Sequence, residues 1–351
     1  MKRIGFVGAG KQAQCIHLPN YALIPNCEIA AITDVDFELA KRVAANMHIP
    51  GVYASHLDMI AKEKLDGIVA TLPVTPMAET VILDTLAAKI PLCVEKPICA
   101  SVAAGKRILA AIRGNNTPLV VGYHKRSDPA AVYAKSEIER LVSSGELGAM
   151  RYARVHVSLG GDWIAGAYRS AIKGSMVIPQ QFFPESDYAM FSEMAKDKFF
   201  DFIGAHSHQF DLMRYLLGDA YHISYADPTG IMFAIESEHG VPGVFEFTPY
   251  NSKNDWREYG IVCFEKGYVR ADLPTPLAIN RAGTAEVFRD VGNGTFPAST
   301  FPVFPSKSAM CSQAENFIAL LNGKKSTLCP MSEALESIAI SQDWAIRLFP
   351  K

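Results

Sequence analysis

Within its first 122 residues the chain alternates short apolar runs with longer stretches of helical periodicity, and few folds accept that rhythm. The runs fall at residues 4–7, 28–33, 67–70, 92–94 and 119–121. Between them, residues 36–47, 77–89 and 101–113 place apolar side chains at helical spacing, so each predicts a helix with one buried stripe. A strand that is apolar on both faces must be covered on both, which favours a parallel sheet sandwiched between helices. Residues 1–122 therefore predict an α/β domain with a doubly wound parallel sheet.

The rhythm changes after Gly122. A helical pattern over residues 129–142 precedes residues 150–158, where Tyr152, Arg154 and His156 alternate with Ala153, Val155 and Val157. Further strand patterns follow at 231–237, 244–248, 261–264 and 267–271, with turn residues rather than helices between them. Successive strands joined by turns predict a mostly antiparallel sheet, making residues 123–351 an α+β domain. Residues 160–198 read as a long irregular connection holding Trp163, Tyr168, Phe182, Phe183 and Tyr188, and connections of that length tend to be functional or lid-like. Helices over 308–321 and 332–348 close the chain.

Charge and cysteine content exclude several classes. The formal net charge is −2 and no basic run exists to neutralise a phosphate backbone, so no nucleic-acid partner is expected. No apolar run approaches the roughly 18 residues that span a bilayer, and the apolar stretch before Gly8 is too short for a secretory signal. The seven cysteines are scattered, with no Cys-x-x-Cys pair, which fits reduced thiols and a cytoplasmic location.

The first strand runs straight into Gly8-Ala9-Gly10-Lys11-Gln12-Ala13. Gly8 permits a tight turn, Gly10 removes the side chain where a pyrophosphate approaches the backbone, and Ala13 allows close helix–strand packing. The helix start offers N–H donors and a positive dipole end to the phosphates, placing Lys11 and Gln12 among the cofactor contacts. Asp34 ends the second strand, where a carboxylate can bond the hydroxyls of the adenine ribose. Its charge opposes a 2′-phosphate and no Arg follows immediately, so NAD is favoured over NADP. Lys41 and Arg42, a turn further on, read as a solvated face.

Glu95-Lys96-Pro97 follows the 92–94 strand, and ligands of open α/β sheets lie beyond the carboxyl ends of the strands. Together with Gly8, Gly10, Asp34, Thr71-Leu72-Pro73, Gly148 and the run from His208 through Asp211 to Gly218, this tripeptide resembles the Gfo/Idh/MocA family of sugar and cyclitol oxidoreductases. The resemblance spans nearly the whole chain. It implies an N-terminal Rossmann domain binding NAD, through Thr71, Leu72, Glu95 and Lys96 as well as the glycine loop, and a C-terminal domain for substrate binding and oligomerisation. It also implies that Lys96 is the catalytic lysine and His208 the catalytic histidine. The chemistry agrees: a histidine titrates in the range suited to removing a hydroxyl proton, and a lysine cation can stabilise charge developing on the substrate oxygen.

One position departs from the family pattern. An Asp usually precedes the catalytic His by four residues, where this chain has Gly204; Asp201 is nearby but out of register. A shifted alignment would make His206 the base, although His208 keeps the three-residue step to Asp211. His206 and His208 alone do not make a metal site, and no metal is expected. Tyr123, His124, Lys125, Arg126, Asp162, Trp163 and Asp211 are further candidates for touching a polyol, since an aromatic ring beside polar groups suits a sugar. The expected partners are a small polyol and further copies of the chain, as a homodimer or homotetramer through an uncovered sheet face carrying Val244, Phe245, Phe247, Ile261 and Phe264. Two other readings stay open: an NAD-dependent glycosidase with no net redox, and a non-catalytic dinucleotide sensor of the same fold.

Overall fold

The computed structural model describes residues 1–158, 160–176, 184–249 and 255–351. The chain divides into two compact units. The first comprises Met1–Tyr123, Gly166–Met190 and Gln313–Ile338; the second comprises His124–Ala165, Phe191–Ser312 and Ala339–Lys351.

In the first unit, β1 (Lys2–Val7), β2 (Cys27–Thr33), β3 (Gly51–Tyr53), β4 (Gly67–Ala70), β5 (Leu92–Glu95) and β6 (Leu119–Gly122) are all parallel, in the order β3-β2-β1-β4-β5-β6. A short strand from late in the chain, Cys329–Pro330, adds antiparallel to β6. The five expected strands are present, each apolar because helices cover both faces: Ile4, Phe6, Ile32, Ile68 and Leu92 have no exposed surface. Helices Phe37–Met47, Pro76–Ala87 and Val102–Ile112 begin at Asp36, Thr75 and Ser101, whose side chains accept the N–H groups of Leu39, Ala78 and Ala104. Such caps satisfy donors that the first helical turn leaves unpaired. Strand β3, helix His56–Lys62 and strand Cys329–Pro330 were not expected, because segments this short show no periodicity.

The second unit is built on an eight-stranded sheet of β7 (Met150–Ser158), β8 (Tyr221–Ala226), β9 (Met232–Ser237), β10 (Pro242–Thr248), β11 (Glu258–Phe264), β12 (Gly267–Leu273), β13 (Thr284–Arg289) and β14 (Ala298–Thr300). Their order is β14-β13-β12-β11-β7-β10-β9-β8, and β7 with β10 is the one parallel pair among them. The long helix Glu193–Leu217 lies on one face, its Phe210 ring 5.3 Å from Phe245 and 5.7 Å from Phe233. A Cβ on Gly260 would stand 2.4 Å from a Leu216 methyl, so β11 needs glycine where the helix approaches. Helix Pro129–Ser144 packs against β12 and β13.

Two sequence expectations change. The helix starts at Glu193, capped by Ser192, so the irregular connection ends before residue 198; Phe182 and Phe183 lie outside the described residues. Phe245, Phe247 and Phe264 are buried on the helix-covered face, so they are not part of an open apolar surface. Val244 and Ile261 pair with Arg154 and share the opposite face with His156 and Tyr259, which is mixed in character. Among the described residues no helix is long and apolar enough to cross a membrane.

Candidate active site

The glycine loop leaves β1 at the point where the strand order reverses, between β1 and β4. Gly8 has φ +101°, and a Cβ there would stand 2.5 Å from the Thr71 carbonyl oxygen and 2.7 Å from its hydroxyl. Only glycine fits both the backbone and the space. Thr71, at the end of β4, donates its hydroxyl to the Gly8 carbonyl at 3.1 Å and its N–H to Val7 at 2.8 Å, stitching the two strand ends together. Leu72 follows, partly buried. A Cβ on Gly10 would meet no atom within 4 Å, and Gly10 and Lys11 are exposed. The loop thus offers an unobstructed backbone at the helix start, as a phosphate cradle requires. Asp34 accepts the Ala9 N–H at 2.6 Å on one oxygen and the Asp36 N–H at 2.8 Å on the other, so its carboxylate is held in place at the end of β2. Gln12 accepts the Tyr168 hydroxyl at 2.5 Å.

Glu95, the last residue of β5, turns its carboxylate inward. One oxygen meets His17 Nε2 at 2.7 Å and the other accepts the Lys96 N–H at 3.2 Å. The Glu95 and His17 side chains are 10% and 4% exposed, so the pair sits beneath the strand end and fixes the backbone at which Lys96 begins. Lys96 is partly buried, and its bond to Pro97 is cis. Tyr123, buried after β6, belongs to this unit.

In the second unit, the turn after β6 carries His124, Lys125 and Arg126, all buried. Buried cations need partners, because burial removes water without removing charge. Lys125 pairs with Glu258, whose other oxygen accepts Gln209 Nε2 at 2.6 Å, while Trp256 Nε1 donates to Glu258 at 3.1 Å. Arg126 grips Asp211 with a forked contact of 2.7–3.0 Å. Asp211 has no exposed surface, so its carboxylate anchors the long helix to that turn. His208 is 8% exposed and its ring stands edge-on to His124 at 4.5 Å. His206 points elsewhere, its ring 4.8 Å from Phe202 and 5.0 Å from Phe247. Two residues along a helix differ by about 200°, which separates the two rings onto opposite sides. Gly204 and Asp201 are exposed on the same helix. Asp162 and Trp163 are also exposed. Beside Glu258 and Trp256 opens a cleft of about 860 Å³, lined also by His156, Tyr259, Arg270 and Asp272.

Sequence reasoning missed His17, Gln209, Trp256 and Glu258. The buried charge of Lys125 and the carboxylate at Glu258 lie 133 positions apart, so no local pattern could connect them. His17 is legible only as a polar residue within an apolar helical pattern.

Residues 2–123 match the model of an oxidoreductase family with an NAD-binding Rossmann fold. That family is Gfo/Idh/MocA, and its model covers residues 2–123 of this chain. Among its relatives, the uncharacterised oxidoreductase YrbE of Bacillus subtilis (strain 168) is 29% identical over 41% of this chain and 40% of its own length. An inositol 2-dehydrogenase of Acidothermus cellulolyticus is 30% identical over 42% of each chain. The match therefore spans about two fifths of the length of these relatives. The fold extends further: the crystal structure of an oxidoreductase from Agrobacterium radiobacter in complex with NAD+, L-tartaric acid and magnesium covers 98% of this chain and 96% of its own, with TM-score 0.67 and 15% identity.

Proposed function

We propose that the protein is an NAD-dependent oxidoreductase that moves a hydride between nicotinamide and a hydroxyl-bearing carbon of a sugar or cyclitol-like polyol. The first unit binds the dinucleotide; the second binds substrate and joins copies of the chain into a homodimer or homotetramer. The observation that carries this reading is the glycine loop, where the space at Gly10 is open while Asp34 is held at the end of β2. Those residues fit a dinucleotide: backbone N–H groups for the pyrophosphate and a carboxylate for the ribose hydroxyls. Bound NAD supplies a hydride acceptor.

The chain's own residues do the rest. His208 takes the hydroxyl proton, and its contact with His124 supports its role over that of His206, which is enclosed by Phe202 and Phe247. Lys96 donates to the substrate oxygen, its backbone steadied by Glu95. The family relationship to inositol 2-dehydrogenases supports a cyclitol or sugar.

The test is NADH absorbance during incubation of the protein with NAD and a panel of inositols, aldoses and glycosides. Net NADH formation with a polyol supports the reading. Glycoside hydrolysis without net redox change would replace it with the glycosidase reading, and NAD binding without turnover on any member would replace it with a sensor.

A further inference from the structure

Residues 166–176 lie more than 130 positions from the glycine loop and its following strand in sequence, yet in the first unit they are bonded to both. Gln14, one turn into the helix after the loop, donates to the carbonyls of Ala9 at 2.7 Å and Ile172 at 3.1 Å, and accepts the Ile172 N–H at 2.8 Å. Its amide thus bridges loop and strap as a strand would. Asp36 accepts the N–H groups of Ser175 at 2.9 Å and Met176 at 3.1 Å, and Arg42 donates to the Lys173 carbonyl at 2.9 Å. The Ile172 side chain packs against the core beneath the sheet. Tyr168 completes the strap, donating its hydroxyl to Gln12.

Tyr168 has a particular place in this arrangement. Gln12 follows β1 and Glu95 ends β5, so both mark the carboxyl edge of the sheet, where a dinucleotide lies in folds of this kind. Burial, and then the neighbouring Glu95 charge and Cys15, push the Tyr168 phenol up to about 12. It is therefore a neutral donor at ordinary pH, fixed to the glycine loop on one side and within electrostatic reach of Glu95 on the other.

We propose that Tyr168 is a cofactor-positioning residue, seated by the 168–176 strap at the nicotinamide-ribose side of the crevice, where it holds Gln12 toward the pyrophosphate. This rests on the NAD-binding reading. It places in cofactor binding a residue from outside the 2–123 segment that the family model matches. A strap that only stabilised the unit would affect every ligand alike. A positioning residue at the nicotinamide end affects NAD and leaves the adenosine half untouched.

Isothermal titration of the full chain with NAD and, separately, with AMP tests this. Tyr168→Phe removes one neutral hydrogen bond, and NAD binding is expected to weaken about three- to tenfold while AMP affinity and Tm stay at wild-type values. Gln12→Met removes the same bond from the other side and should give the same loss, with the double variant no worse than either. Unchanged or tighter NAD binding in both variants would overturn the proposal. So would parallel losses of NAD and AMP affinity accompanied by a fall in Tm. Wild-type protein that binds AMP and NAD equally weakly, or neither, sinks the NAD-binding reading itself, which keeps the two failures apart.

Discussion

The Asp34 carboxylate meets the Ala9 N–H at 2.6 Å, so the residue proposed to read the adenine ribose also clamps the glycine loop to the end of β2. Its second oxygen is occupied by the Asp36 N–H at 2.8 Å, leaving the remaining lone pairs for ribose hydroxyls.

The first prediction follows from that charge. NAD should raise Tm more than NADP at matched concentrations, because a 2′-phosphate beside Asp34 is repelled. Asp34→Asn keeps an acceptor for Ala9 but removes the charge, and should narrow the difference between the cofactors. A larger shift from NADP with the wild-type chain would reverse the assignment.

The second concerns Lys96 and the two histidines. Lys96→Met should retain NAD binding and lower turnover about a hundredfold or more, the usual cost of losing one donor to a developing oxyanion. His208→Ala should lower it about 10²–10⁴-fold, and the double variant should be little worse than the poorer single one. His206→Ala should instead cost stability, about 1–2 kcal/mol from its contacts with Phe202 and Phe247, with little change in turnover. Steady-state kinetics beside urea titration reads both; loss of turnover in His206→Ala with normal activity in His208→Ala would move the base to His206.

The third addresses the ion pair of Lys125 and Glu258, whose side chains are 3% and 0% exposed. Removing one partner leaves a charge buried alone, so Glu258→Gln should destabilise the fold by about 3–5 kcal/mol. Replacing both, as Lys125→Met with Glu258→Gln, should recover part of that loss. Chemical denaturation of the wild type and the two variants measures it, and a double variant less stable than Glu258→Gln alone would refute the account.

The fourth is a pH dependence. Hydrogen bonds from Arg107, and then from Ser101, hold the Asp187 carboxyl below its ordinary range against the opposing effect of burial. A carboxylate lowered on folding stabilises the protein above the unfolded value of about 3.9, and that contribution is lost as pH falls through the lower folded value. The stability gap between wild type and Asp187→Asn should therefore be widest near neutrality and close as pH falls below the ordinary carboxylate range. A gap that is constant with pH would show that the carboxylate charge is not what Arg107 engages.

Much of the first unit is legible in the sequence, because its determinants are local. Gly8 must be glycine for its own backbone, β1, β2, β4, β5 and β6 are continuous apolar runs, and Asp36, Thr75 and Ser101 cap helices from within a few residues of them. Lys96 at the end of β5 and Asp34 at the end of β2 follow from strand position alone. Only the tertiary structure decided which face of the second unit's sheet is covered, since alternation in β10 and β11 specifies two faces without saying which one meets the long helix. Gly260 gives Leu216 the room that the helix's close approach to that face requires. Tertiary structure also decided the partners of buried polar and charged groups. Lys125 with Glu258, Arg126 with Asp211, and Tyr168 with Gln12 join residues 133, 85 and 156 positions apart, and pairing at that range depends on how the backbone brings strands and turns together. Periodicity reports which side of an element is apolar; it carries no information about which distant side chain will neutralise a charge buried there.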